Sequence, residues 1–311
     1  MMRELATLML YLTGLILVLR APYALGARAS RPGWLAGTCG LIAIICLGFV
    51  VPVPTLDAAM GSMGYWNLLG ATSTTLAFHF MYRAILIHTS KDSPPYYRRV
   101  LGLGIITYSV AFTMIAGEQN RFTSVEAFIA ALIRQPWTAL YLSVYLSLVA
   151  LIAALSLAAI LSSANRSKTF VAGFSLVVLG NAVDVVLLWM QHCSVVSAAL
   201  STLLYSVYVG AFFSGTILLC VGFLRGSVRS LREFCTFLVY ALRLRRILGR
   251  AGQDKRPLLD VARQPKIACY QMLIHVRDLV TLKGFALNTP EVSLTHKADA
   301  LLIDSPIKSS T

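Results

Sequence analysis

Apolar residues in this chain come in long unbroken runs rather than in alternation, and charged residues collect between the runs. The clearest run is Ala198–Leu224, which contains no charged residue and is followed at once by Arg225, Arg229 and Arg232. A helix of that length crosses a hydrocarbon core of about 30 Å, and the arginines after it form a stop-transfer flank. Six further runs precede it, at Leu5–Leu19, Trp34–Val51, Tyr65–Ile87, Val100–Ala116, Trp137–Ser162 and Phe170–Met190. The second ends where Pro52 and Pro54 break helical hydrogen bonding. A short amphipathic piece, Val125–Ile133, is expected in the loop before the fifth.

After Leu224 the pattern changes. Leu231, Phe234, Cys235, Leu238 and Leu242 recur at helical spacing, with Arg229, Arg232, Arg243 and Arg246 around them. This reads as a basic amphipathic helix lying along an anionic inner leaflet. Lys266–Lys283 forms a second amphipathic helix, with Cys269, Met272, Leu273, Val276, Leu279 and Val280 on one face. Beyond Gly284 the chain is expected to be mostly disordered, with a short helix near His296–Ile303. The expected organisation is therefore a transmembrane domain 1–224, a basic helical region 225–285 and a tail 286–311.

Composition agrees with the pattern. Of 311 residues, 57% are hydrophobic and 13% charged, and the mean hydropathy is +0.73. Soluble domains carry roughly 25% charged residues, so the expected fold class is all-α and polytopic, with seven transmembrane helices. The net charge of +14 changes that picture little. The segment from Arg225 onward holds 15 of the 27 Lys and Arg against seven acidic residues, and the other positive charges cluster at run ends. That is a membrane pattern rather than a nucleic-acid footprint.

Loop charge also orients the bundle. The loops after the first, third and fifth helices carry Arg20, Arg28 and Arg31, then Lys91, Arg98 and Arg99, then Arg166 and Lys168. The alternate loops carry only Arg121 and Arg134, accompanied by Glu118 and Glu126. The positive-inside rule then puts the N-terminus outside and the C-terminus inside. The six cysteines form no CxxC pair, so neither a disulfide nor a metal site is expected.

Polar residues inside the runs are the candidate chemistry, because charge in lipid is costly and faces protein or water. His79 and Arg83 share a face of the third helix, and Asn181 and Asp184 share a face of the sixth. His79, Asn181 and Asp184 make a candidate proton- or cation-linked site, with His79 better placed than Arg83 as a partner for Asp184, and water or Asn181 as the alternatives. The same residues also suit a polar clamp between helices. Gly102, Gly104, Gly210 and Gly215 suit close helix packing, and Tyr65, Trp66, Trp137, Tyr141 and Trp189 suit an interfacial aromatic belt. The chain has no HExxH, GxSxG or GxxxxGK[ST] motif, so no enzyme and no cofactor is expected.

Three short patches carry a resemblance. Arg20-Ala21-Pro22 follows the first helix, Val221-Gly222-Phe223 closes the seventh, and Tyr270–Phe285 reads YQMLIHVRDLVTLKGF. In layout and in these patches the chain resembles a family of uncharacterised actinobacterial seven-helix membrane proteins that are labelled transporters and have a cytoplasmic C-terminal region. Tyr270, Ile274, Arg277, Asp278 and Leu282 match the family's tail stretch, while His275, Leu279, Lys283 and Gly284 depart from it. The resemblance implies a small-solute transporter. The residues alone equally allow a seven-helix sensor or adaptor that engages a cytoplasmic protein through its tail. Besides such a protein, the expected partners are the bilayer and its anionic inner-leaflet lipids.

Overall fold

In a computed structural model the described residues are 10–11, 13–19, 21, 24, 30–48, 50–116, 132–163, 166–253 and 258–304. Their regular structure is all helix, with no strand among the described residues. The chain divides into two compact units, Met1–Gly222 and Phe223–Thr311.

The first unit contains α1 (Arg31–Cys46), α2 (Val53–Ala59), α3 (Tyr65–Thr89), α4 (Tyr97–Thr113), α5 (Pro136–Leu161) and α6 (Lys168–His192), followed by the first part of α7 (Ala198–Arg250). Three of these helices, α5, α6 and α7, are long and apolar enough to cross a membrane. Residues 5–9 and 12 of the first expected helix, and the Val125–Ile133 piece up to residue 131, lie outside the described residues. Residues 13–19 are helical, and the Leu17 carbonyl there accepts the Trp34 indole N–H at 2.8 Å.

Helix α5 sits at the centre of the bundle and packs on α3, α4 and α6, while α1 packs on α3. Its sequence has no polar face to turn outward, as befits a helix surrounded by others. Tyr141, Val149, Ile152 and Ala153 on it are fully buried, together with Tyr108 and Phe112 of α4 and Phe174 and Val177 of α6. Outward-facing positions are apolar as well. On α4, Leu103, Ile106 and Val110 form an exposed stripe, and Leu179, Val186 and Ile217 do the same on α6 and α7. A continuous apolar exterior of this kind suits lipid rather than water. Several hydroxyl side chains inside the helices donate back one turn, as Thr75 does to Ala71, Ser156 to Ile152 and Thr216 to Phe212, whereas the buried hydroxyls of Thr138 and Ser143 on α5 have no hydrogen-bond partner.

Glycines let α6 and α7 meet closely. A Cβ on Gly215 would lie 2.8 Å from the Gly173 carbonyl oxygen, and one on Gly180 would lie 3.0 Å from the Phe212 backbone nitrogen. Of the four glycines expected at contacts, Gly215 and Gly104 are there, whereas Gly102 and Gly210 face open space. The expected aromatic belt is corrected likewise. Tyr65, Trp137 and Trp189 are exposed, but Trp66 and Tyr141 are buried in the bundle.

The second expected helix ends at Cys46, short of Val51 and before either proline, so Pro52 and Pro54 begin a helix rather than end one. Pro54 fits the first turn of α2, where its missing N–H is no loss. Buried Asp57 then accepts the Gly64 N–H at 2.7 Å and closes the turn into α3, with Gly61 and Gly64 at positive φ. At the opposite end of α3, Lys91 reaches the Ser162 hydroxyl and the Ala159 carbonyl at the C-terminus of α5. A cation there complements the helix dipole.

The second unit holds the rest of α7 with α8 (Leu258–Arg263), α9 (Pro265–Lys283) and α10 (Thr289–Asp304). No helix boundary falls at Leu224, where one was expected. Hydropathy changes there, but the stretch lacks proline, and its two glycines cost only about 1 kcal/mol each in helix propensity. The region beyond Gly284, expected mostly disordered, contains α10, which is twice the length anticipated. Glu291 starts it by accepting the Asn288 N–H at 3.0 Å, the reciprocal half of a capping box. Phe237, Leu244 and Ile247 of α7 form one core with Cys269, Met272 and Val276 of α9 and Ala298 and Leu302 of α10. Arg250–Glu291 and Arg277–Asp299 pairs, at 2.5 and 2.8 Å, lie on its surface. Residues 305–311 lie outside the described residues.

Candidate functional site

The three intramembrane candidates do not form one hydrogen-bonded group. His79 Nδ1 shares a 2.8 Å hydrogen bond with the Tyr97 hydroxyl at the start of α4, and the two rings stack at 5.7 Å. Tyr82 meets Tyr97 edge-on at 5.0 Å, and Arg83 and Arg98 lie close enough for their charges to act on the imidazole. The partner of His79 is therefore a tyrosine and not Asp184, as the sequence had suggested. The tyrosine begins α4, directly across from the last turns of α3, so antiparallel pairing of these helices puts it there.

Asp184 belongs to a different layer. Its charge acts on Tyr145 of α5 and Tyr208 of α7. Tyr145 in turn lies near the Thr74 hydroxyl of α3 and 6.2 Å edge-on from Tyr108 of α4. Thr74 and His79 are five residues apart, about 7 Å of helix rise. Tyr108 donates to Thr72 Oγ1 at 3.2 Å, and Tyr141 donates to Asn67 Oδ1 at 3.4 Å. The result is a seam of hydroxyl groups across α3, α4 and α5 that reaches the face of α6 carrying Asp184.

Asn181 is fully buried one turn before Asp184. Its Nδ2 donates to the Val177 carbonyl at 2.8 Å, and its Oδ1 has no hydrogen-bond partner. Among the described residues no hydrogen bond or ion pair reaches the Asp184 carboxylate. A carboxylate and an amide oxygen, three residues apart on one helix face, thus stand without donors beside two tyrosines.

Sequence reasoning missed Tyr108, Tyr145 and Tyr208. The one signal for them was the run Thr72-Ser73-Thr74-Thr75 in an otherwise apolar helix, since four hydroxyls in a row imply acceptors and donors on the facing helices.

The basic and tail residues fall in the second unit or at its edge. Arg225, Arg232, Arg243 and Arg246 are exposed, and the Arg229 side chain lies outside the described residues. On α9, Tyr270, Ile274 and Leu282 are exposed along the face opposite the core, with Asp278 between them, and Arg277 pairs with Asp299. Among the described residues no group of three or more His, Cys, Asp or Glu is arranged to hold a metal, and all six cysteines are free thiols. No protein-family model, curated protein or solved structure matches the chain.

Proposed function

We propose that this chain is a multi-pass plasma-membrane transporter of a small solute, with seven spans, the N-terminus outside and the C-terminus inside. The observation that carries the reading is Asp184. It is an acidic side chain on an apolar helix long enough to span, with no ion pair among the described residues and beside a hydroxyl seam. Intramembrane carboxylates of this kind mark solute and proton pathways. His79 with Tyr97, Arg83 and Arg98 is a separate inner group that steadies the α3–α4 end of the bundle. The exposed Arg225, Arg232, Arg243 and Arg246 engage anionic inner-leaflet lipids.

Solute and proton flux in reconstituted vesicles tests the reading. Asp184→Asn, which keeps the side chain's shape, is expected to abolish flux while leaving membrane expression and elution profile unchanged; normal flux in that variant removes Asp184 from the pathway. Orientation is checked with a membrane-impermeant maleimide on intact cells. The reading expects labelling of Cys193 and protection of Cys235.

A second reading, a membrane sensor or adaptor, draws on the exposed Tyr270, Ile274 and Leu282 of α9, an apolar stripe on a helix that already buries its other face. A cytoplasmic partner retained by the full chain and lost with Tyr270→Ala and Ile274→Ala would favour it. Intact flux in those variants would favour the transporter.

A further inference from the structure

The donor-free oxygens on α6 restrict what the Asp184 layer can hold. Asn181 and Asp184 are three residues apart, so their Cβ atoms are neighbours at about 5–6 Å. The bond from Asn181 Nδ2 to Val177 fixes the amide's orientation and leaves Oδ1 as the unmet acceptor. Among the described residues no hydrogen bond from Tyr145 reaches either oxygen, and the Thr74 hydroxyl near it donates to the Gly70 carbonyl. An anion would be repelled by the carboxylate. A neutral alcohol brings a single O–H for two acceptors. Calcium and magnesium take six or more oxygens, and among the described residues no group of three or more His, Cys, Asp or Glu is arranged to hold a metal. An ammonium group brings three N–H donors on one positive charge, enough for both oxygens, and its charge also favours the faces of neighbouring aromatic rings.

We propose that Asp184, Asn181 Oδ1 and the rings of Tyr145 and Tyr208 bind the ammonium head of a small protonated amine. The inference rests on reading Asp184 as a solute site and names the class of that solute. Asp184 supplies the counter-charge, Asn181 the second acceptor, and the tyrosines, on α5 and α7, close the site from two further helices.

The test uses the full chain in lipid nanodiscs and reads binding by calorimetry, independently of flux. Methylammonium, ethylammonium and phenethylammonium are titrated beside ethanol, which is neutral, and tetramethylammonium, which has no N–H. Saturable binding of at least one primary amine is expected, weaker by about tenfold or more for tetramethylammonium and absent for ethanol. Asp184→Asn should abolish it, and Tyr208→Leu should weaken it about tenfold. Absence of saturable binding for all three amines, or equal affinity in wild type and Asp184→Asn, overturns the proposal. Should Asp184→Asn fail to fold, Tyr208→Leu decides, and unchanged affinity there overturns it. Amine binding without flux keeps the amine site and removes the transporter. Asp184-dependent flux in a protein that binds no amine keeps the transporter and overturns the amine site.

Discussion

In residues 1–222, apolar side chains cover the outside of the bundle and the hydroxyl groups of Thr75, Tyr108 and Tyr141 lie within, while residues 223–304 sort their side chains the other way. There the core is built from Leu, Ile, Val, Met and Cys, and the ion pairs sit at the surface. The contrast shows what each unit's surroundings do energetically. Burying apolar area away from water organises the second unit at about 25 cal/mol per Å². On the membrane reading proposed above, lipid gives the first unit no such reward, because the tails outside are as apolar as leucine. Close packing at small residues and internal hydrogen bonds must hold its helices together instead. The Gly173–Gly215 approach and the tyrosine–threonine seam are those two devices.

The largest effect expected from this contrast is chemical. Cys269 has no exposure, and burial pushes its thiol up to about 11, so little thiolate exists near pH 8. Alkylation at pH 8 should be about a hundredfold slower or more at Cys269 than at exposed Cys235. It should accelerate as pH rises toward 11 or when the unit is unfolded. Comparable rates at the two sites, read by mass spectrometry, would mean the second unit has no dry core.

Next in size is Gly215→Leu. Its Cβ alone would meet the Gly173 carbonyl at 2.8 Å, which is backbone and has nowhere to go. Overpacking of this kind costs about 1–3 kcal/mol or more, so monodisperse protein should be lost on size exclusion. Gly210→Ala, facing open space, should elute as the wild type does. Met272→Ala should destabilise the second unit by about 2–5 kcal/mol and raise amide exchange across α9 and α10 while leaving α5 protected. Exchange rising equally in α5 would erase the distinction between the units.

Smaller effects sharpen the comparison. Tyr108→Phe removes one buried hydrogen bond, to Thr72, and should cost the bundle about 1 kcal/mol in thermal stability. Arg277→Gln breaks a half-exposed ion pair with Asp299 and should cost less than about 1 kcal/mol. If Arg277→Gln proved more damaging than Met272→Ala, surface charge would matter to the second unit more than its core does.

The positions of α3 to α6 were legible in the sequence to within about three residues, because an apolar run bounded by charge or proline states its own limits. Less legible were boundaries that composition suggests and hydrogen bonding ignores. The change at Leu224 alters the solvent a side chain prefers without altering whether its backbone can be helical, so α7 runs on to Arg250. The Ser-, Thr- and Pro-rich stretch after Gly284 looked disordered, yet Asn288, Glu291 and the apolar Ala298 and Leu302 start and anchor α10. Tyr141 illustrates the same limit within the bundle. Its place at a helix end suits an interfacial belt, and only the packing of α5 among three neighbours buries it.

By itself, then, the sequence determined that the chain is all-helical and membrane-like, that a basic helical segment follows, and that Asp184 and Asn181 share a face of one helix. Those properties follow from local composition and a periodicity of 3.6 residues. Which side chains answer them was decided only by tertiary structure. His79 went to Tyr97, and Asp184 was left beside Tyr145 and Tyr208. A partner on another helix depends on the depth, rotation and neighbour order of that helix, and no spacing along a single run encodes these.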